Sequence, residues 1–187
     1  MRGAIAMALV GLTINTPVSA KVDSGDPDLF AHYFNAVPDV CFQTARGHPP
    51  THENAAALLL EPVSEMPPAV KAGFTQVTSW FRLKSAPNNV FVGVGDRPNA
   101  CHVVLANTTQ AGEIQRKTIE MLKMGGFQPL KVPSPDDAIF VKQAPDGYML
   151  VWVQIPGELL HNGEGSQGAI NVNLMPPAMF ESLTRKH

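Results

Sequence analysis

The feature that most constrains the fold is a pair of apolar runs, residues 138–144 and 148–155, separated by the Pro-Asp-Gly segment 145–147. A segment of this composition between two apolar runs is a strong signal for a tight hairpin turn. Residues 149–153 are apolar at every position, which is typical of a central strand that is covered on both faces. The sequence therefore predicts an antiparallel hairpin at the centre of a sheet.

Further strand signals lie on both sides of this hairpin. Residues 75–83 alternate between apolar and polar side chains, and residues 90–94 and 100–106 are β-branched runs joined by a turn. We interpret these three segments as an antiparallel meander. Shorter signals at 127–132 and 169–174 predict additional strands.

Helical patterns alternate with the groups of strands. Asp26 and Pro27 can cap and begin a first helix, whose apolar spacing continues until Pro38 interrupts it. Further helices are predicted at residues 53–60, at residues 109–125 and after Pro176. Because tight turns join most strands, the pattern predicts an α+β fold: a mostly antiparallel sheet of about five to seven strands packed against helices.

The N-terminal residues 1–20 have the parts of a secretory signal peptide. Arg2 supplies the positive start, residues 4–14 are apolar, and small residues precede Ala20. The apolar stretch is shorter than the roughly 20 residues that a transmembrane helix needs, although an uncleaved signal anchor is the alternative. We predict cleavage near Ala20, which leaves residues 21–187 as one domain without a transmembrane segment in the periplasm or outside the cell.

The chain contains two cysteines, Cys41 and Cys101. Paired thiols in an oxidising compartment normally form a disulfide, whereas a free thiol pair is the alternative. A redox-active pair is not indicated, because the Cys-x-x-Cys pattern is absent. We predict one disulfide that fastens the N-terminal helical region to a strand of the meander.

Charge and glycine patterns argue against nucleic acid and nucleotide partners. Lys and Arg total 14 against 16 Asp and Glu, and no basic run is present. Gly93 and Gly95 follow a strand, as in phosphate-binding loops, but another strand follows them where a helix N-terminus would be needed. We therefore expect no nucleic acid partner and no cofactor.

Three titratable residues lie close together in a Pro-rich segment: His48, His52 and Glu53. Imidazole and carboxylate groups are zinc ligands, so these residues are a candidate metal site. The metalloprotease motif His-Glu-x-x-His fails, because Ala56 stands at the second histidine position. The alternative interpretation is a solvated surface loop.

Two other parts of the sequence are candidate functional sites. Leu159, Leu160 and His161 lie in a Gly-rich loop between core strands, where loops often carry ligand or partner sites; the alternative is that the leucines cover the sheet edge. His102 follows Cys101, but adjacent strand residues point to opposite faces, so a catalytic pair is not indicated. We interpret His102 as a histidine on a strand face.

These patterns predict a signal peptide, a disulfide and an apolar core. They contain no coherent catalytic motif. The first hypothesis is therefore an exported, non-catalytic binding or accessory protein of unknown ligand, with another envelope or secreted protein as the expected partner. The second is a small exported hydrolase or metal-dependent enzyme that uses His48, His52 and Glu53. An inhibitor or folding partner of another exported protein is a third hypothesis, which an exposed apolar patch would support.

Overall fold

The structure is a computed structural model that describes residues 26–66, 74, 76–95, 100–130, 137–154 and 166–184. These residues form an α+β fold on one antiparallel sheet. Its eight strands are β1 (Leu60–Val63), β2 (Val77–Leu83), β3 (Val90–Gly95), β4 (Cys101–Thr108), β5 (Gln128–Leu130), β6 (Asp137–Ala144), β7 (Gly147–Gln154) and β8 (Ser166–Met175). They lie side by side in the order β1-β2-β3-β4-β8-β7-β6-β5.

Helical segments precede β1 and β5 and follow β8. They are α1 (Leu29–Ala36), a π-helical turn (Val37–Cys41), α2 (Phe42–Ala45), a 3-10 helix (Ala55–Leu58), α3 (Ala111–Met124) and α4 (Pro177–Thr184). No helix in the described part of the chain is both long enough and apolar enough to cross a membrane. The predicted signal peptide, residues 1–20, lies outside the described residues.

The expected count of five to seven strands is too low, because the short edge strand β1 is missing from it. Sequence patterns placed this segment in a helix and an irregular connection, since Pro62 lies within it. Proline cannot donate a backbone hydrogen bond and is tolerated in a sheet mainly at an edge. Pro62 pairs with Phe81 of β2 on one side only, and the predicted helix at 53–60 shortens to a single 3-10 turn.

Pro38 interrupts the α-helical spacing, as the sequence predicted, and α1 ends at Ala36, but the chain keeps a helical path beyond the proline. The chain continues from α1 through the π-helical turn into α2. A proline lacks the N–H for a normal helical bond and crowds the preceding turn, and a wider π turn relieves both problems. This turn carries Cys41 into contact with the sheet, where it forms the predicted disulfide with Cys101 at a Cα–Cα distance of 5.2 Å.

The main core lies between the helices and one face of the sheet. It includes Leu29, Tyr33, Val37, Val40, Ile114 and Leu122 from the helical segments, with Phe81, Val92, Val103, Phe140, Val151, Ile170 and Val172 from the strands. These strand residues belong to the set of alternating positions that points toward the helices. The face that α1 and α3 cover is therefore the main apolar face of the sheet.

A buried polar contact ties α3 to the sheet. The Gln115 side-chain amide donates to the backbone carbonyl oxygens of Gln154 (2.8 Å) and Ala169 (3.2 Å), and it also contacts the Tyr33 hydroxyl. Burial raises the pKa of Tyr33, so this hydroxyl stays protonated. A side chain at Gly168 would collide with Gln115, since a Cβ there would lie 2.7 Å from the amide nitrogen. We interpret this network as structural.

The sheet has two halves, β1–β4 and β5–β8, and the strands of each half pair in corresponding registers. Each half is a four-stranded meander, and the meanders meet where β4 pairs with β8. Both edge strands carry a proline opposite a buried phenylalanine: Pro62 opposite Phe81, and Pro129 opposite Phe140. The sheet therefore has an approximate two-fold relation between β1–β4 and β5–β8.

This two-fold relation centres on one residue pair. His102 of β4 lies opposite Asn171 of β8. The next residues outward are Gly93 on β3 and Trp152 on β7, which pair with His102 and Asn171 respectively. All four belong to one continuous row across the sheet, on the face turned away from α1 and α3. His102 and Asn171 thus lie at the centre of that face.

Candidate functional site

We define the open face as the sheet surface that carries the row Trp80, Gly93, His102, Asn171, Trp152 and Ile139. The sequence predicted that residues 149–153 would be covered on both sides. This prediction is wrong for the open face, because β7 alternates buried and accessible residues and Trp152 is 38% exposed. β3, the middle of β4 and residues 168–172 of β8 are buried at consecutive positions and therefore on both sides.

The open face contains a pocket of about 290 Å³ over the central pair. The described residues that line it are Phe74, Gln76, Gly95, Ala100, His102, Trp152, Gln154, Asn171 and Asn173. An adjoining pocket of about 300 Å³ shares Trp152, Asn171 and Asn173 with the first. Together these pockets extend the accessible surface from β4 across β8 toward β6.

A hydrogen-bonded chain of three side chains forms the floor of the first pocket. Asn171 accepts from Nδ1 of His102 through its side-chain oxygen, and its amide nitrogen donates to Oε1 of Gln154 at 3.1 Å. Asn171 is buried, and His102 and Gln154 are half-buried. Burial lowers the pKa of His102, with the Asn171 hydrogen bond opposing that shift, so the ring is neutral at pH 7. A neutral ring that donates from Nδ1 keeps Nε2 as an acceptor.

Aromatic side chains flank this floor. The ring of Phe74 lies 5.3 Å from the ring of His102, and its edge meets Trp80 at 5.9 Å. Trp80 in turn lies over Gly93, where an added Cβ would be 2.9 Å from the indole. On the other side of the floor, Trp152 lines the pocket from β7. A glycine at position 93 thus lets Trp80 support Phe74 beside the pocket.

A second, smaller apolar cluster secures this side of the open face. It consists of Phe91, Val104, Ala106 and Ala169, with Met66, Phe74 and Trp80 packed against it. Met66 and Phe74 belong to the connection between β1 and β2, and these two residues contact the open face. The pocket lies next to the cluster, where the covered part of the face gives way to the accessible part around Trp152.

Comparison of the chain with protein-family models, with curated proteins and with solved structures gives no match. The chemistry of the pocket must therefore be inferred from its own side chains. The lining residues that the structure describes include no Ser, Cys or Lys nucleophile and no carboxylate. Amide groups, an imidazole and aromatic rings are side chains that can bind and orient a ligand.

The predicted metal ligands lie elsewhere. His48, His52 and Glu53 are exposed in the segment between α2 and the 3-10 helix, where Thr51 and Asn54 exchange hydrogen bonds of 2.7 and 3.3 Å. Among the described residues, no group of three or more His, Cys, Asp or Glu side chains is close enough to hold a metal ion. His52 lines a pocket of about 490 Å³ with Met66 and Trp80, but none of the three residues lines the pocket over His102 and Asn171.

The predicted loop site, Leu159, Leu160 and His161, lies outside the described residues. The central pair was missed as a site, because His102 was interpreted as a histidine on a strand face and Asn171 was not singled out. The position of His102 on the strand is right, but strand periodicity does not show which residue will lie opposite it. One signal was present: Gln154, Asn171 and Asn173 are amides inside otherwise apolar strand segments.

Proposed function

We propose that this protein is an exported, non-catalytic binding protein whose ligand site is the pocket over His102 and Asn171. The observation that carries the proposal is the hydrogen-bonded floor formed by His102, Asn171 and Gln154 beneath an open pocket. Burying polar side chains costs free energy unless they are hydrogen-bonded. Here they are paired with one another and held in fixed orientations, which is the preorganisation that a binding site needs.

Two further observations support export. The Cys41–Cys101 disulfide is of the kind that persists in oxidising compartments. The N-terminal sequence has the pattern of a secretory signal, and we propose that the mature protein is periplasmic or extracellular. Its ligand is then a component of the envelope or of the surrounding fluid, either free or as part of another molecule.

Two-dimensional NMR of the oxidised protein with a library of small molecules tests the site. We expect at least one compound to shift the indole N–H resonance of Trp152 and the side-chain amide resonances of Asn171 and Gln154. The variant Trp152→Ala identifies the indole signal and should weaken binding. Met124→Ala is a matched control, because Met124 is also an exposed apolar residue but lies on α3.

Several outcomes would overturn the proposal. One is a library that leaves the resonances of Trp152 and Asn171 unchanged. Another is binding that Trp152→Ala and Met124→Ala weaken equally. Stoichiometric zinc in natively produced protein, lost in His48→Ala and His52→Ala variants, would favour the metal-dependent alternative. Mass spectrometry of native material that shows an intact Met1 and two reduced thiols would overturn export.

A further inference from the structure

The chemistry of the pocket narrows the class of ligand, on the basis of the proposed binding function. The lining residues offer hydrogen bonds without a formal charge. Gln76 and Asn173 are exposed, so each presents an amide donor and an amide acceptor to a ligand. His102 adds a ring acceptor at the floor while its other nitrogen is occupied by Asn171. A ligand that fits must therefore both donate and accept hydrogen bonds.

Charged ligands find no partner among these residues. A phosphate or carboxylate is normally bound by Arg, Lys or the N-terminus of a helix, and a cationic group by a carboxylate. None of the lining residues within the described part of the chain carries such a group, and burial disfavours the protonated form of His102. Against these described side chains an ion would lose its hydration without gaining an opposite charge, so they favour neutral molecules.

Purely apolar ligands are also disfavoured. Covering Gln76, Gln154 and Asn173 with a hydrocarbon would remove water from amide groups without replacing its hydrogen bonds, which costs free energy for each buried group. The aromatic rings nevertheless provide flat apolar contact from Phe74 and Trp152. The preferred ligand thus combines an apolar face with a hydroxyl-rich edge.

We propose that the pocket binds a neutral sugar ring. The C–H groups of a pyranose form apolar faces that pack against an aromatic ring, and its hydroxyls both donate and accept hydrogen bonds, as the amides do. The pocket, about 290 Å³, lies near the lower end of the roughly 300–1,000 Å³ range of small-molecule sites, so it suits a single ring. The adjoining pocket past Trp152 leaves room for a substituent, and the ring can be one unit of a glycan.

The test is an NMR titration of the oxidised protein that follows the indole N–H of Trp152. The neutral probes are the methyl glycosides of glucose, galactose and mannose, together with N-acetylglucosamine and cellobiose. Glucuronate and glucosamine are matched charged probes, and indole and cyclohexanol are matched apolar ones. We expect at least one neutral sugar to shift Trp152 in a saturable way, and its charged analogue to bind about tenfold more weakly or worse.

Two exposed positions provide variants that keep the fold. Trp152→Ala removes the aromatic contact and Asn173→Leu removes an amide of the rim; each should weaken sugar binding about tenfold or more. Met124→Ala on α3 should leave the affinity unchanged. The proton–nitrogen spectrum of each variant shows whether it remains folded. Equal affinity of wild type and both pocket variants would overturn the proposal.

The probe classes distinguish failure of this inference from failure of the proposed function. Charged or apolar probes that shift Trp152, when all neutral sugars leave it unchanged, would overturn the sugar ligand and support a binding site of different specificity. If no probe of any class and no library compound shifts Trp152 or Asn171, both the sugar ligand and the binding function are wrong.

Discussion

Removal of the disulfide between Cys41 and Cys101 should lower the free energy of unfolding by about 4 kcal/mol. The cysteines are separated by 60 positions, so the bridge closes a loop of that length in the unfolded chain. The loop-entropy model assigns such a loop an entropy loss of about 14 cal/mol/K, which is about 4 kcal/mol at 25 °C. Domains of this size are usually stable by only about 5–15 kcal/mol, so the loss is a large share of the total.

Urea unfolding of one protein in its oxidised and reduced forms measures this effect without a change of side chain. The bridge is buried, so it is reduced in denaturant and the protein is refolded in the presence of reductant. With a slope of about 2 kcal/mol/M, the midpoint should fall by about 2 M. The double variant Cys41→Ala and Cys101→Ala should behave like the reduced form, with a further loss from the smaller buried side chains. A difference below about 1 kcal/mol would refute the reasoning that the bridge constrains the unfolded chain.

Three further predictions concern the sheet and its two polar networks. Gly147→Ala should destabilise the fold by about 2–5 kcal/mol, because its φ is +148° and a Cβ would lie 2.4 Å from the Met175 carbonyl oxygen; thermal unfolding measures this. Gln115→Met keeps the volume but leaves backbone acceptors unpaired, so urea unfolding should show a loss of about 1–3 kcal/mol, whereas the exposed Arg116→Met should change little. His102 has a lowered pKa in the folded state, so below about pH 6.5 the unfolded chain binds the extra proton first and stability falls as the pH decreases. The variant His102→Gln should lack this part of the pH dependence when both proteins are unfolded in urea from pH 4.5 to 8.

For each of these predictions, one experimental outcome would contradict the reasoning. Gly112→Ala is the glycine control, since nothing lies within 4 Å of a Cβ at this position of α3, and the variant should be as stable as the wild type or more so. Equal effects at Gly112 and Gly147 would contradict the role of the close contact. Equal losses in the Gln115 and Arg116 variants would show that Gln115 has no special bonding role. Parallel stability curves for wild type and His102→Gln would show that this ring titrates normally.

Local patterns in the sequence predicted the elements whose signals lie within a few residues. The hairpin of β6 and β7 forms at the Pro-Asp-Gly segment, and α3 follows the helical spacing of Ile114, Thr118 and Leu122. Glu113 and Lys117 lie four positions apart and form an ion pair at 2.7 Å on the exposed side of α3. These features are set by backbone conformation and by side chains one helical turn apart, so they can be derived without knowledge of the tertiary fold.

The two-fold relation between the halves was not recognised in the sequence, although a short pattern marks it. Residues 60–63 and 127–130 both read apolar, polar, proline, apolar, and each segment follows a residue with positive φ, Leu59 in one case and Gly126 in the other. A four-residue pattern is too common to establish equivalence by itself. The matching strand registers make it meaningful, because they place both prolines at corresponding edges of one sheet.

The sequence by itself determined that the chain has tight antiparallel hairpins, an amphipathic α3 and a cysteine pair able to form a bridge. Only the tertiary structure decided that β4 pairs with β8, and therefore that His102 lies opposite Asn171, which is 69 positions further along the chain. Strand periodicity fixes which side chains share a face, but it does not fix which strands become neighbours. That choice depends on how all eight strands bury their apolar faces together, and the pocket of the open face is a consequence of it.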